Sequence, residues 1–523
     1  MRRCALRRLR VATAAAGLTA ALTAGCGTTV STVNGVSAGS DTGLSATDPT
    51  GVTGATGTGP GSAASTGGAA TGSTSSGGLP ATGQTRAAGT PAGTPPLDAP
   101  PSLTTAHGRL VVHLGVVYLK GLDQAYKAAN GGKSSTTDSQ ADYAAVIKSL
   151  NARPHAHTTF EPSYYAVDAS STQSQADQLE AACAHFTSDV HVEIVVSYSA
   201  GADGALARCL QKHAVPIVDG STGASAGASV QRAVPDLWQP SQLSLDRVGA
   251  LQATYLVRNH WVDARWGSSA RCTGITKPRI GVITFDRPDW RAAYTNAVAP
   301  TFKQLGHPVY DQVFLAVSGS TAEQLAQASS GAQNAVLKFA SECIDHVAFV
   351  ANVALDYLFM NVAQQQDYHP RYGLSSLEAP PVIVQNLPQP TPQLHGAIGP
   401  GWAPYADVAI AQFDAVSKQP GRDCMAILTR AGLAPKDNNS TLLALPSCEG
   451  PMFIDAVVDH WIAAGRSGSL LDVVNAMHGS YPPAGSYAAD LSAAHHDGAG
   501  AYRGFAYNDG CSCFRYTTAV QRI

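Results

Sequence analysis

Short apolar segments alternate with helix-like segments over most of the chain after residue 108, and this alternation restricts the fold more than any other feature. Residues 110–118 and 190–197 have the composition of buried strands, whereas residues 141–150 carry apolar side chains at helical spacing. Parallel strands joined by crossover helices are the economical arrangement for such an order. The sequence therefore predicts an α/β fold with mostly parallel sheets flanked by helices.

The same order restarts after an amphipathic segment at residues 243–260, which indicates a second α/β unit. Extended segments are expected there at residues 279–285, 309–317, 346–351, 372–375 and 381–385. The last third is expected to hold helices at 406–418, 453–465 and 470–478, a loop between Cys424 and Cys448, and a hairpin turning at 508–510. A folded part of over 400 residues exceeds what one core usually supports, so we expect two lobes with a cleft between them.

The N-terminus has the pattern of an export signal. Five arginines in the first ten residues precede a weakly apolar run from Val11 to Ala24 that is too short for a mature membrane helix. Cys26 follows Ala24 and Gly25, which resembles the lipobox of bacterial lipoproteins. This resemblance implies a signal peptide at residues 1–25, lipidation of Cys26 and anchoring to the outer face of the cell membrane. A secreted protein with a chance cysteine is the alternative.

A low-complexity segment, residues 26–107, follows the lipobox. From residue 27 to about residue 101 it consists almost wholly of Gly, Ser, Thr, Ala and Pro, so it cannot build a core and is expected to be a disordered tether. At roughly 5 to 6 Å × √n for a flexible chain, its ends would lie about 50 Å apart. No later apolar stretch approaches 18 residues, so we expect no second membrane span.

Charge and motif content exclude several classes of function. The formal charge is −3, or −8 without the five signal arginines, and no basic patch is present, so a nucleic-acid partner is not expected. The sequence lacks a phosphate-binding Gly-rich loop and an H-E-x-x-H motif. We therefore expect no cofactor, and any ATP hydrolysis would belong to a partner protein.

Eight cysteines remain when Cys4 and Cys26 are set aside, and an even number in an exported chain favours disulfides. Two expected pairs, Cys183 with Cys209 and Cys272 with Cys343, each fall inside one lobe. The sequence leaves Cys424, Cys448, Cys511 and Cys513 open. Cys511 and Cys513 lie two apart on an expected strand, where a mutual bond would be strained, so either they take Cys424 and Cys448 or those two close their own loop. No CxxC pair occurs, and no metal site is expected.

Several segments together resemble the branched-chain amino acid and amide binding proteins of ABC transporters, which have the type I periplasmic-binding fold. They are residues 113–118, 194–199, 215–219, 279–283 and 453–465. The resemblance spans almost all of residues 108–523 and implies two lobes, joined by a three-strand hinge, that close on a small ligand. It places the first part of lobe I at 108–250, lobe II at 251–394, and the return of lobe I, with the C-terminal hairpin, at 395–523.

The resemblance also implies where a ligand would bind, because open α/β sheets bind ligands at the carboxyl ends of their strands. The candidates in lobe I are Tyr118, Lys120, Ser197, Tyr198, Ser199, Asp219, Ser221 and Thr222, and those in lobe II are Asp286, Asp289, Trp290, Asn352, Asp356, Ser375 and Ser376. Hydroxyls would take a carboxylate, acids an ammonium, and Tyr or Trp the apolar part. Helix capping is the competing explanation for each Ser or Asp that follows a strand.

An enzymatic interpretation rests on Gly223–Gly227, which fits the G-x-S-x-G motif of serine hydrolases. Its Ser225 lies in a loose run several residues past the expected strand, whereas the motif needs a sharp strand-to-helix turn. His495 and His496 have no carboxylate or cysteine partner at recognisable ligand spacing. We therefore expect a non-enzyme.

These expectations combine into a monomeric, membrane-tethered solute-binding lipoprotein. It would bind an amino acid, amide or similar small polar molecule outside the cell and deliver it to an ABC permease. The alternative is a lipoprotein of the cell envelope with the same fold that senses a ligand or scaffolds another protein, without transport.

Overall fold

A computed structural model of the protein describes residues 103–106, 108–123, 135–154, 156–198, 204–221, 226–267, 270–316, 322–412 and 418–523. The expected signal at residues 1–25, the expected lipidation site Cys26 and nearly all of the expected tether lie outside this part of the chain. The ligand candidates Ser199 and Thr222 also lie outside it, as does Ser225 of the G-x-S-x-G match.

The first sheet has the strand order β3-β2-β4-β5-β6, all parallel, with the short β1 antiparallel to β2. Its strands are β1 (Thr104–Ala106), β2 (Arg109–Lys120), β3 (Thr158–Asp168), β4 (Ile194–Ser197), β5 (Ile217–Asp219) and β6 (Leu237–Trp238). The helices between them are α1 (Ser139–Asn151), α2 (Gln175–Ala184), α3 (Ala205–Gln211) and α4 (Ala228–Ala233). This order confirms the predicted crossover architecture.

Strand β4 illustrates why this sheet is covered on both faces. Ile194 and Val196 are buried in the core cluster that includes the apolar face of α1. Val195 points the other way and is buried in a second cluster with Leu179 of α2 and Leu206 of α3. Three successive apolar positions, rather than alternate ones, therefore suit a strand in a sheet between two helical layers.

The second sheet has the order β13-β12-β11-β10-β9-β7-β8, with β14 beside β12. Its strands are β7 (Ile280–Phe285), β8 (Asp311–Leu315), β9 (His346–Val350), β10 (Arg371–Gly373), β11 (Ile398–Gly401), β12 (Ala501–Asn508), β13 (Cys513–Tyr516) and β14 (Gln521–Arg522). The helices from this part of the chain are α5 (Leu245–Arg258), α6 (Pro288–Ala293), α7 (Ala299–Gln304), α8 (Ala322–Ser341), α9 (Val353–Gln365), α10 (Pro380–Asn386), α11 (Pro390–Leu394) and α12 (Pro404–Asp407). Strands β7 to β11 are parallel, and β12 and β13 extend the sheet in antiparallel fashion.

Three segments of the chain cross between the two sheets side by side. The backbone N–H groups of Gly498 and Ala499 donate to the carbonyl oxygens of Gln239 and Gln242, each at 2.9 Å. The indole N–H of Trp402 donates to the side-chain oxygen of Gln242 at 3.4 Å. Gln239 and Gln242 lie in the first crossing, Trp402 in the second, and Gly498 and Ala499 in the third. The three crossings form the predicted three-strand hinge.

The terminal hairpin belongs to the second sheet and not to lobe I, where we expected it as part of residues 395–523. Strand β12 pairs with β11, and β13 pairs with β12. The reason is topological: a chain that starts in lobe I and crosses a hinge three times must end in lobe II. The return to lobe I is instead made by the helices α13 (Gln419–Arg430), α14 (Asn438–Ala444), α15 (Pro446–Ala463) and α16 (Leu470–Met477).

The run Asn438–Ala463 is long and apolar enough to cross a membrane, a property that the sequence analysis did not assign to it. However, 89% of its most apolar window is buried within the protein. Helix α15 packs against α1 and against strands β3 to β5, and Phe453 lies edge-on to Trp238 with ring centroids 6.1 Å apart. Helix α15 therefore belongs to the helix layer that covers the first sheet, whereas α14 also contacts α10 and α12.

The helix expected at residues 406–418 is interrupted at Val408, where α12 has ended, and two further predictions of local structure are wrong. Residues 381–385 lie in α10 and not in a strand, because Pro380 and Pro381 occupy its first positions, where a helix needs no backbone donor. The segment between Cys424 and Cys448 is largely helical rather than a loop, since α13 and α14 fill it.

All eight cysteines of the described region are paired: Cys183 with Cys209, Cys272 with Cys343, Cys424 with Cys448, and Cys511 with Cys513. The first two pairs are those expected. The third pair is one of the alternatives left open, and the last joins two cysteines that we did not expect to bond with each other. Cys511 lies in the turn before β13 rather than on the strand, and the left-handed Ser512 (φ 49°) brings the two Cα atoms to 5.2 Å.

Candidate functional site

The carboxyl ends of β4 and β5 bring together three of the candidates in lobe I, Ser197, Asp219 and Ser221. Ser197 lies opposite Asp219 in the ladder, and both side chains are buried. One carboxylate oxygen of Asp219 accepts from the backbone N–H of Ser221 at 2.9 Å, and the other accepts from the side-chain amide of Gln239 at 2.9 Å. Asp219 therefore organises the loop at this edge.

Tyr118 and Lys120 lie at the same end of the sheet, towards its edge strand. Tyr118 is half-buried and edge-on to Tyr164, with ring centroids 6.3 Å apart. Burial, and then the charge of Asp138, raises the pKa of the Tyr118 hydroxyl. Lys120 is exposed and lies opposite Asp168, three positions beyond the row that contains Ser197. Tyr118 is thus the better placed of the two for a ligand between the lobes.

Strand β7 is followed by three candidates with different surroundings. Asp286 is exposed, and Arg291 donates to it at 2.5 Å, which lowers the pKa of the Asp286 carboxyl. Asp289 is buried beside lobe I: a Cβ on Gly227 would lie 3.2 Å from the Asp289 Cβ. Trp290 is buried and has no hydrogen-bond acceptor for its indole N–H within the described chain. Asp286 is therefore a surface ion pair, and Trp290 keeps an unused donor.

Asn352, Ser375 and Ser376 direct their polar atoms to other groups of the protein. The side chain of Asn352 accepts from the N–H of Ala354 at 3.1 Å and caps α9. Ser375 forms a capping box with Glu378. Ser376 donates to Asp407 at 2.6 Å and accepts from the N–H of Trp402, in the hinge, at 2.7 Å. For Asn352 and Ser375 the capping explanation accounts for these contacts, whereas Ser376 joins its loop to the hinge and to Asp407.

A pair of acids, Asp356 and Glu378, is buried at the carboxyl edge of the second sheet. Asp356 lies in the first turn of α9, and neither of its carboxylate oxygens has a hydrogen-bond partner among the described residues. Burial, and then the charge of Glu378, raises the pKa of Asp356 well above its ordinary value. Burial also raises the pKa of Glu378 to about 7, against hydrogen bonds from Ser375 and Ala351. The pair therefore holds a proton near neutral pH and can accept a donor or a cation.

Asp142 is a second buried acid, in lobe I, that the sequence analysis missed. It lies in the first turn of α1, burial raises its pKa to about 7, and one of its carboxylate oxygens has no partner in the described region. The neighbouring Tyr143 is buried, and its pKa is raised by burial and by the charges of Asp219 and Asp142. The signal was present in the sequence, since Asp142 interrupts the apolar stripe of α1 that continues through Val146 and Leu150.

A third missed acid, Asp407, lies at the end of α12 next to the hinge. It accepts from Ser376 and from the hydroxyl of Tyr516, at 2.6 and 2.9 Å, and it is fully buried. Burial raises its pKa to about 8 in spite of these hydrogen bonds and the charge of Arg503. Gly401 faces it so closely that a Cβ there would lie 2.3 Å from the carboxyl carbon. Asp407 thus ties the hinge to the terminal hairpin.

The lobes are also joined through Asp437, which precedes α14. One of its oxygens accepts from the backbone N–H of Ser135, ahead of α1, at 2.7 Å, and from the side chain of Gln385, in α10, at 2.9 Å. Burial opposes ionisation of Asp437, but hydrogen bonds from Ser440 and Ser135 outweigh it and lower the pKa. This carboxylate contacts both lobes in the arrangement described here.

Two α/β lobes, a three-strand hinge and polar side chains at the facing strand ends define the type I periplasmic-binding fold, and the chain has this fold. No protein-family model matches the chain, and neither does any curated protein sequence. The similarity therefore lies in the structure. Among the described residues, no group of three or more His, Cys, Asp or Glu side chains could hold a metal ion.

Solved structures of this fold resemble the chain at low sequence identity. A solute-binding protein of an ABC transporter from Rhodopseudomonas palustris, in complex with 4-hydroxybenzoate, is 12% identical with a TM-score of 0.53; the match covers 79% of this chain and 97% of that one. A branched-chain amino acid ABC transporter protein from Thermus thermophilus with bound valine is 13% identical, with the same coverage and TM-score. A leucine-binding protein from Thermotoga maritima is 15% identical with a TM-score of 0.52, covering 78% and 98%.

Proposed function

We propose that the protein is an extracytoplasmic solute-binding protein that captures a small polar ligand, an amino acid, amide or similar molecule, by closure of its lobes. The observation that carries this proposal is the acid pair Asp356 and Glu378. Both carboxyl groups are buried, and Asp356 receives no hydrogen bond from the described part of the chain. A ligand with an ammonium or amide donor would supply the missing partner and offset the cost of burying these groups.

Trp290 supports a ligand that also carries an acceptor. Its buried indole N–H has no acceptor within the described residues, although buried indole groups usually have one. A ligand carboxylate or carbonyl would satisfy it. Donor and acceptor groups on one small molecule are the chemistry of an amino acid or an amide, and a valine complex is among the structures that share the fold.

The expected anchor and tether fit the same role. We propose that lipidation of Cys26 holds the protein on the outer face of the membrane, that residues 26–107 let the lobes stand away from it, and that the monomer delivers its ligand to an ABC permease without catalysing a reaction. The resemblance of the N-terminus to a lipobox and the composition of the tether support this arrangement.

The test is calorimetric titration of the purified protein with amino acids, amides, short peptides, sugars and aromatic acids. We expect one class with an ammonium or amide group to bind and to raise the melting temperature, since binding to the native state alone stabilises by about 2.7 kcal/mol at a hundredfold excess over the Kd. Affinity for an ammonium ligand should rise with pH through about 7, because Glu378 then loses its proton and its carboxylate attracts the ammonium.

Variants separate the site from the rest of the fold. Asp356→Asn and Trp290→Phe are expected to weaken binding by about ten- to a hundredfold, the cost of one buried hydrogen bond. Asp286→Asn is the matched control, because Asp286 is exposed and paired with Arg291. If a folded, disulfide-intact sample binds none of the compounds in the panel, the proposal is contradicted and the sensor or scaffold alternative is favoured.

A further inference from the structure

The disulfide between Cys511 and Cys513 differs from the other three in its exposure. Cys511 is exposed and Cys513 half-buried, at the tip of the terminal hairpin. The other six cysteines are all buried, except for the half-buried Cys209. Exchange between thiols and disulfides requires access to a sulfur atom, so the bond in the hairpin is the one that a reagent in solution reaches first.

This bond also adds little to the fold. Its cysteines are 2 positions apart, against 24, 26 and 71 for the other pairs, and a disulfide constrains the unfolded chain less as its loop shortens. The hairpin has other support: β12 and β13 pair from Asn508 opposite Cys513 to Phe505 opposite Tyr516, and Phe505 packs edge-on against Phe514 at 5.5 Å. The hairpin is therefore expected to persist when the bond is reduced.

A cation lies against the exposed sulfur. The guanidinium Nε of Arg515 is 3.4 Å from Cys511 Sγ, in donor geometry. The nearby Asp509 is paired with His395 at 2.7 Å, so its charge is directed elsewhere. A guanidinium favours a thiolate over a thiol at such a position, and the thiolate is both the nucleophile and the leaving group of disulfide exchange.

We propose that Cys511 and Cys513 form a thiol–disulfide exchange site, with Cys511 as the attacked sulfur and Cys513 as the resolving one. An external thiolate attacks Cys511 Sγ, so that a mixed disulfide forms, the bond between Cys511 and Cys513 breaks, and its electron pair leaves on Cys513, which takes a proton. A second external thiolate attacks the outer sulfur and releases Cys511 as a thiolate beside Arg515. Two thiols are oxidised to one disulfide while the protein gains the dithiol.

The experiment uses the full chain, non-reducing peptide mass spectrometry and alkylation of free thiols after timed exposure to glutathione or to dithiothreitol. We expect the bond in the hairpin to open at least tenfold faster than the other three, which serve as internal controls. With glutathione, a monothiol, we expect the mixed disulfide to accumulate. With dithiothreitol, a dithiol, we expect the bond to be reduced without accumulation of this intermediate. Equal rates for all four bonds would overturn the proposal.

Three variants test the assigned roles. Cys513→Ser removes the resolving sulfur, so glutathione disulfide should trap a stable adduct on Cys511; no adduct in a folded sample would overturn the assignment. Arg515→Gln should slow the release of Cys511 severalfold and move the pH dependence of that step upward, whereas Arg515→Lys should partly restore it. An unchanged pH profile would show that Arg515 only supports the hairpin. Ligand binding is expected to be unaffected in all three variants, so this test is independent of the proposed solute-binding role.

Discussion

The substitution Asp407→Asn should change the pH dependence of stability while keeping the hydrogen-bonding geometry of the site. Asp407 is fully buried and accepts from the hydroxyls of Ser376 and Tyr516, which can also pair with a side-chain amide. Burial raises its pKa to about 8 from an ordinary value of 3.8. Between pH 5 and pH 7 the folded protein therefore holds this proton, whereas the unfolded chain has lost it.

The magnitude follows from proton linkage. With one more proton bound in the folded state, the free energy of unfolding falls by about 1.4 kcal/mol for each pH unit, or roughly 3 kcal/mol from pH 5 to pH 7. The sign is that of a raised carboxyl pKa: the contribution is fully present below pH 3.8 and is lost as the pH rises through about 8. Asparagine does not titrate, so the slope of the variant should be less negative by about 1.4 kcal/mol per unit.

Urea unfolding at pH 5, 6 and 7, followed by tryptophan fluorescence, measures this slope. The control is Glu180→Gln, because Glu180 is exposed on α2 and its substitution removes no buried carboxyl. Equal slopes for the Asp407→Asn variant and the unaltered protein would refute the reasoning, since they would mean that the buried carboxyl is ionised in the folded state.

Two further predictions concern close approaches of backbone. Gly399→Ala should destabilise the protein by more than about 3 kcal/mol in urea unfolding, because a Cβ at residue 399 would lie 1.9 Å from the carbonyl oxygen of Leu374. The control Gly479→Ala, where the nearest atom to a Cβ would lie at 3.6 Å, should cost less than about 1 kcal/mol. Gly227→Trp should hold the lobes apart at Asp289, which small-angle scattering would report as a larger radius of gyration and titration as weaker ligand binding. The control is Ala233→Trp, at an exposed position on the same lobe, which should change neither quantity. An unchanged radius of gyration for Gly227→Trp would contradict the contact between the lobes.

The order of strands and helices was predictable because a strand that is buried on both faces has several consecutive apolar residues, which are visible in the sequence. Strand β7 is buried at all six positions, and Thr284 is its one polar residue. The location of the terminal hairpin was not predictable in this way. Strand β12 pairs with β11, which lies about a hundred residues earlier, and nothing local distinguishes an antiparallel edge of lobe II from one of lobe I. The number of hinge crossings contained the answer, because three crossings place the two ends of the fold in different lobes.

The candidate site was predictable at the level of strand ends and not at the level of roles. Ser197 and Asp219 lie where the strand pattern put them, but Asn352 and Ser375 use their polar atoms as caps. The sequence shows that a Ser or Asn follows a strand, but a helix cap and a ligand contact both use this position. The sequence therefore does not distinguish the two roles. Acids inside apolar stripes are more informative, since burial without a cation partner costs free energy that a structural role alone does not return; Asp142 is the example that was overlooked.

The buried acids bear on which ligands the proposed site would favour. At neutral pH, Asp356 and Glu378 together hold at least one proton, because burial and mutual repulsion oppose two charges. A ligand ammonium would stabilise the ionised pair and release that proton on binding. A ligand with only carboxylates would instead leave the pair protonated, with at most a neutral donor to offer. The acid pair would therefore discriminate between the two classes through the protons that binding releases, a quantity that titration in buffers of different ionisation enthalpy reports directly.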